Sequence, residues 1–145
     1  MAIIVLAFAS AQLTAAEVKQ TIPTEQRVIL KGVWTPPAAE MDKALDAVDA
    51  FLKKPVGATQ WQIGEIRQIR ANIAKYRVQL VGDVRNGKKV LFCNFIRSPD
   101  KGEVDSFAHW KRSLVQVSDG GFWYWSICID TATGKCFEFN SNGYG

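Results

Sequence analysis

Few residues in this 145-residue chain are equipped for chemistry: one histidine, three cysteines and a set of large aromatics. His109, beside Trp110, has the side chain of a general base, and with Cys93 it would make a thiol–imidazole nucleophilic pair. Cys93, however, sits in an alternating apolar run that directs its thiol toward a core, and nothing places it at a helix start where a thiolate would be stabilised. No Cys-x-x-Cys or Cys/His ligand spacing is present, so no metal or other cofactor is implied. These residues point to a domain without catalysis, and an enzyme using His109 as base in a cone-like pocket is the competing reading.

Two other groups of residues suit binding. Phe122-Trp123-Tyr124-Trp125 puts large aromatics on both faces of an extended chain. Trp123 and Trp125, with Arg112 and Gln116 beside them, would line a concave sheet surface for a sugar, a peptide or an apolar ligand. The plainer alternative is a central strand buried on both sides. The second group is basic. Residues 65–89 carry seven Lys and Arg against two acids, within a chain of net charge +4. Arg77, Arg85, Lys88 and Lys89 would then face an anionic partner such as a phospholipid headgroup, a cell-envelope polymer or nucleic acid. No nucleic-acid module pattern accompanies them, which argues against the last. A solvated helix face followed by a hairpin with charged edges would show the same charge pattern.

The elements that position these residues follow from periodicity and turn chemistry. Met1–Ala16 is uncharged and runs from an apolar stretch into small residues, the pattern of a secretory signal peptide, although no Lys or Arg precedes the apolar run. A buried N-terminal strand or helix is the other reading. Export predicts a secreted or periplasmic protein whose mature chain, with no membrane span, is one domain over residues 17–145. Val28-Ile29-Leu30 suits a sheet edge. Thr35 is placed to cap a first helix with Pro36 and Pro37 at its start, and Met41, Ala44, Leu45, Val48, Phe51 and Leu52 form its apolar stripe. Ile63, Ile66, Ile69 and Ile73 keep helical spacing through a second helix, with Arg67 and Arg70 on or beside its outer face, although Ile also suits a strand.

Strands are expected over 76–85, 88–97, 111–118, 122–129 and 135–140, joined in part by tight turns. The Asn86-Gly87 turn pairs Arg85 with Lys88 and brings Val78, Leu80, Val84, Leu91, Cys93 and Phe95 onto the face that packs on the first helix. The opposite face, including Arg77, Gln79, Asn94 and Ile96, is too apolar to stand bare, so the second helix or the N-terminal arm should cover part of it. A four-residue loop over 131–134, closed by Gly134, pairs Asp130 with Lys135 and Cys128 with Phe137. That register leaves Cys128 and Cys136 on opposite faces as free, largely buried thiols.

The expected architecture is α+β: two N-terminal helices packed on a five-stranded antiparallel meander sheet. With Gln79-Leu80-Val81-Gly82 after the helices and Gly121-Phe122-Trp123 at a later hairpin, it resembles the cystatin-like superfold, and an NTF2-like cone is similar. The resemblance covers residues 36–139 in outline. Inhibitory cystatins carry Gln-x-Val-x-Gly in the first hairpin loop and Pro-Trp in the second. Here the Gln79 segment lies within a strand, the tip is Asn86-Gly87 and no Pro precedes Trp123, so protease inhibition is not carried over and stands only as a third alternative. The expected function is an exported binding or interaction module for a protein, a peptide or a small ligand.

Overall fold

The computed structural model describes residues 17–143. In chain order they form α1 (Val18–Thr21), β1 (Arg27–Leu30), α2 (Ala39–Lys53), α3 (Gln60–Ala71), β2 (Tyr76–Arg85), β3 (Lys88–Arg97), β4 (Tyr124–Asp130) and β5 (Cys136–Ser141). The strands make one sheet in the order β1-β2-β3-β4-β5, so the fold is α+β. The sheet is mixed rather than antiparallel throughout, because β1 pairs parallel to β2 while β2 to β5 form the antiparallel meander. The expected signal segment, Met1–Ala16, lies outside the described residues, as do Tyr144 and Gly145. No helix among the described residues is long and apolar enough to cross a membrane.

The β2–β3 hairpin forms because Asn86 and Gly87 both adopt positive φ, 52° and 74°, as a two-residue turn between right-twisted strands requires. Arg85 accordingly faces Lys88, Leu80 faces Cys93 and Val78 faces Phe95. Val78, Leu80, Leu91, Cys93 and Phe95 join Trp125, Ile127 and Ile129 in the main core beneath the helices. Val84 shares their face but is exposed, since it lies near the hairpin tip. In α2, Met41, Ala44, Leu45, Val48 and Leu52 are buried as the stripe requires. Thr35 does not cap this helix: the N-cap is Ala38, which makes no side-chain cap bond. A residue before proline is pushed away from helical backbone, and two successive prolines delay the helix accordingly.

The Ile spacing over residues 63–73 produces a helix, α3, whose start is fixed by a reciprocal capping box. The Gln62 N–H donates to Thr59 Oγ1 at 3.2 Å and the Thr59 N–H donates to Gln62 Oε1 at 2.9 Å. Beyond β4, Gly134 at φ 72° closes the 131–134 loop, and the Asp130 N–H donates to Lys135 O at 2.9 Å. Cys128 lies opposite Phe137, and all three thiols are free. A β-bulge then intervenes: Glu138 takes φ 52° where the β4–β5 register shifts. Past the bulge, Phe139 packs against the main core, 5.7 Å from the Phe51 ring and 5.8 Å from Trp125.

The largest departure from expectation lies between β3 and β4. Residues 111–118 are not a strand, and the fifth strand of the sheet is β1 instead. Residues 98–120 form a strap lying across the sheet face opposite the helices. There Trp110 and Val115 pack with Ile96, flanked by Val28, Phe107, Val117 and Tyr124. The strap, rather than the second helix, is thus the main cover of that face. The strand expected from residue 122 begins at Tyr124, because Gly121–Trp123 is a 3₁₀ turn.

Close packing at Gly32 and Gly82 joins the N-terminal arm to the sheet. Trp34 bridges to Gly82, its indole N–H donates to Asp83 O at 2.8 Å, and the Val33 N–H donates to Gly82 O at 2.9 Å. A Cβ on Gly82 would lie 2.2 Å from Trp34 O and 2.8 Å from its ring. Since backbone is what blocks it, Gly82→Ala is expected to lower stability by about 1–3 kcal/mol, read by urea unfolding. An unchanged urea midpoint would refute this account of the contact.

Candidate functional site

Gln79 and Asn94 face each other across β2 and β3 on the strap side of the sheet. Gln79 is 0 % exposed, and its amide has every bond it can make. Nε2 donates to Trp110 O at 2.5 Å and Ser113 O at 2.8 Å, while Oε1 accepts from Asn94 Nδ2 at 2.9 Å and from the Val115 N–H at 3.0 Å. Asn94 Nδ2 also donates to Val115 O at 2.8 Å. Two side-chain amides therefore hold an irregular backbone against the sheet, substituting for the ladder that this segment lacks. At the strap's end, Asn142 Nδ2 donates to Val117 O and, at 2.9 Å, to Asp119 O.

A cleft of about 200 Å³ opens between strap residues 114–117 and the β3–β4–β5 surface. Its walls present Asn94, Gln116, Ser126, Asn140 and Asn142 beside Phe92 and Tyr124, and among the described residues no Lys, Arg, Asp, Glu or His lines it. Among the described residues, Gln116 and Asn140 make no side-chain hydrogen bond, and both are exposed. Their amides offer donors and acceptors to a ligand.

Of the four expected ligand contacts, Gln116 and Trp125 line this cleft, while Trp123 and Arg112 do not. The Trp125 indole is spent elsewhere: it stacks on Phe95 with ring centroids 3.9 Å apart and is 1 % exposed. Trp123 belongs to the 3₁₀ turn, so strand alternation does not govern it. It packs beside Tyr76 and Phe122, with Lys75 and Arg97 near its ring, at 5.9 and 5.6 Å. Arg112 is exposed on the strap. Tyr124, Asn94, Ser126, Asn140 and Asn142 also line the cleft, beyond the expected contacts. Strand alternation could have put Asn94, Tyr124 and Ser126 on one face, whereas nothing local brings Asn140 and Asn142 to them.

The basic set is dispersed. Arg77 is buried, with Nη1 and Nη2 each 2.8 Å from an Asp105 oxygen and its guanidinium 4.9 Å from the Trp110 ring. It is a strap anchor and offers nothing to an anionic partner. Arg85 pairs with Asp83 at 3.0 Å and Glu138 at 2.8 Å. Lys88 and Lys89 are exposed, Lys89 lying 5.1 Å from the Trp34 ring. Eight residues of strand, roughly 27 Å, separate Arg77 from Arg85, so the four do not form one surface.

Nor do His109 and Cys93 meet. His109 is exposed on the strap and Cys93 is buried on the helix side, with the sheet between them. Burial pushes the Cys93 thiol well above its ordinary value, Cys128 up to about 11 and Cys136 up to about 12. All three are protonated near neutral pH and thus poor nucleophiles. The Asn86-Gly87 tip and Trp123 occupy opposite ends of the sheet, because β4 starts beside Ile96 at the far end of β3 from the hairpin tip. No family model, curated protein or solved structure matches the chain.

Proposed function

We propose that this chain is a non-catalytic binding domain of an exported protein, and that its strap cleft takes a neutral, hydroxyl-rich ligand such as a saccharide unit. The observation that carries this reading is the lining. In a chain with 22% charged residues, the cleft presents amides, a serine hydroxyl and aromatic rings without one charged side chain. Amides can both donate to and accept from sugar hydroxyls, and an aromatic face suits the apolar side of a sugar ring. The volume fits one ring or one peptide side chain. A secreted or periplasmic location rests on the character of Met1–Ala16 alone. The likeness to cystatin-like or NTF2-like domains rests on helices laid over a strand meander, and it carries no site with it.

The test is a titration with neutral disaccharides followed by NMR of the side-chain amides. Gln116 and Asn140 should shift in a saturable way, and Gln116→Ala combined with Asn140→Ala should weaken binding at least about tenfold. A matching acidic sugar should bind no better. Absence of any shift, or an unaltered response in the double variant, would sink the proposal.

A further inference from the structure

The basic residues of the 65–89 segment are mostly accounted for by contacts within the domain: Arg77 with Asp105, Arg85 with Asp83 and Glu138, Lys75 beside Trp123 and Lys89 beside Trp34. Among the described residues Lys88, at the hairpin tip, has no such contact either, but Arg67 and Arg70 differ in flanking a groove. One turn apart on the outer side of α3, both are exposed, and neither makes a side-chain hydrogen bond or ion pair among the described residues. They flank a groove of about 470 Å³ between α3 and the end of α2. Pro55, Ile63 and Ala71 contribute the apolar lining that reaches its surface, and Lys53 supplies a third cation. Arg70 lies close enough to Lys53 for their charges to repel. Among the described residues no carboxylate lines the groove; the nearby Asp49 is engaged by Lys53 Nζ at 2.7 Å and by the Val18 N–H at 3.3 Å, and Glu17 also lies within electrostatic reach of Lys53.

From this arrangement we infer a second binding site, for a single-chain anionic amphiphile of the fatty-acid class. The carboxylate sits between Arg67 and Arg70, where guanidinium groups can grip it through paired N–H donors. The alkyl chain lies over Pro55, Ile63 and Ala71. Charge complementarity selects the head, and the apolar lining selects the tail over a small inorganic anion. The cations and the apolar residues flank one open groove between two helices, a span suited to one monomeric ligand. This site is separate from the strap cleft and shares none of its lining residues.

Isothermal titration of the intact protein with decanoate below its micelle-forming concentration tests the inference. Saturable binding is expected, with decanol, which lacks the charge, and butyrate, which lacks the chain, each at least about tenfold weaker. Arg67→Gln with Arg70→Gln should weaken decanoate binding by at least about tenfold, with the melting temperature unchanged because both side chains are exposed. No response to decanoate, equal affinity for decanol, or full affinity in the double variant would overturn the inference. So would sedimentation with phosphatidylglycerol vesicles in the absence of any response to monomeric decanoate, which would assign the cations to a membrane surface.

Discussion

Gln79→Glu is expected to destabilise the domain by about 3 kcal/mol or more at pH 7, although the two side chains are nearly the same size. The amide nitrogen donates to the carbonyls of Trp110 and Ser113. A carboxylate there has no proton to give and faces both oxygens at hydrogen-bond distance in a site with no exposure to water. Gln79→Ala removes the repulsion but leaves two carbonyls and the Val115 N–H without their side-chain partner, so it too should lose stability, with a cavity added. Because the strap hangs on this amide and on Asn94, the first consequence should be local: hydrogen exchange at the Val115 amide should accelerate more than exchange in the β2–β3 hairpin. The strap cleft should lose its saccharide response in the same variant, since residues 114–117 form one of its walls. A Gln79→Glu protein with an unchanged urea midpoint and a protected Val115 amide would show that the strap is held by something else.

What could be read from the sequence, and what could not, divides along the range of the interactions. The β2–β3 register was legible because Asn86-Gly87 supplies the positive φ that a two-residue turn demands, and that register places Leu80 opposite Cys93 without further information. The α2 stripe and the Asp130–Lys135 loop were legible for the same local reasons. Residues 111–118 misled because their alternation is real: Val115 is buried and Leu114 is 38 % exposed. An extended chain lying flat on a sheet face buries alternate residues just as a strand within the sheet does. Periodicity reports a surface beneath the chain and leaves open whether the backbone bonds go to a neighbouring strand or, as here, to Gln79 and Asn94. Arg77 was misplaced by similar logic, because its partner Asp105 is 28 residues away and no local pattern connects them. The parallel pairing of β1 with β2 depends equally on how two helices return the chain. In the candidate site, Gln116 was visible as a polar position in an alternating run, whereas the amides of Asn140 and Asn142 come to it only through the β4–β5 pairing.

Asp105→Asn should be about as damaging as the Gln79 changes, with a loss of about 3 kcal/mol at pH 7, for an electrostatic reason that pH can isolate. The Arg77 side chain is only 3 % exposed, and among the described residues Asp105 is its one carboxylate partner. Removing that charge leaves a guanidinium buried against Trp110 without its counterion. Arg77 in turn holds the Asp105 carboxyl down at about 2, against an ordinary value of 3.8. A carboxyl depressed in the folded state stabilises the fold fully above its unfolded pKa, and this contribution fades as pH falls through the folded value. The advantage of the natural protein over Asp105→Asn should therefore be constant above about pH 5 and shrink between about pH 4 and pH 2, by on the order of 2 kcal/mol. Asp83 and Glu103 are also depressed, by bonds to the Val84 N–H and Arg85 and by Arg97 respectively, but both persist in the variant and cancel in the comparison. Replacing both partners, Arg77→Met with Asp105→Leu, should cost less than Asp105→Asn alone, because the double change leaves no charge stranded. If urea unfolding gave the single and double variants equal losses that did not vary with pH, the pair would matter for packing alone rather than as an ion pair.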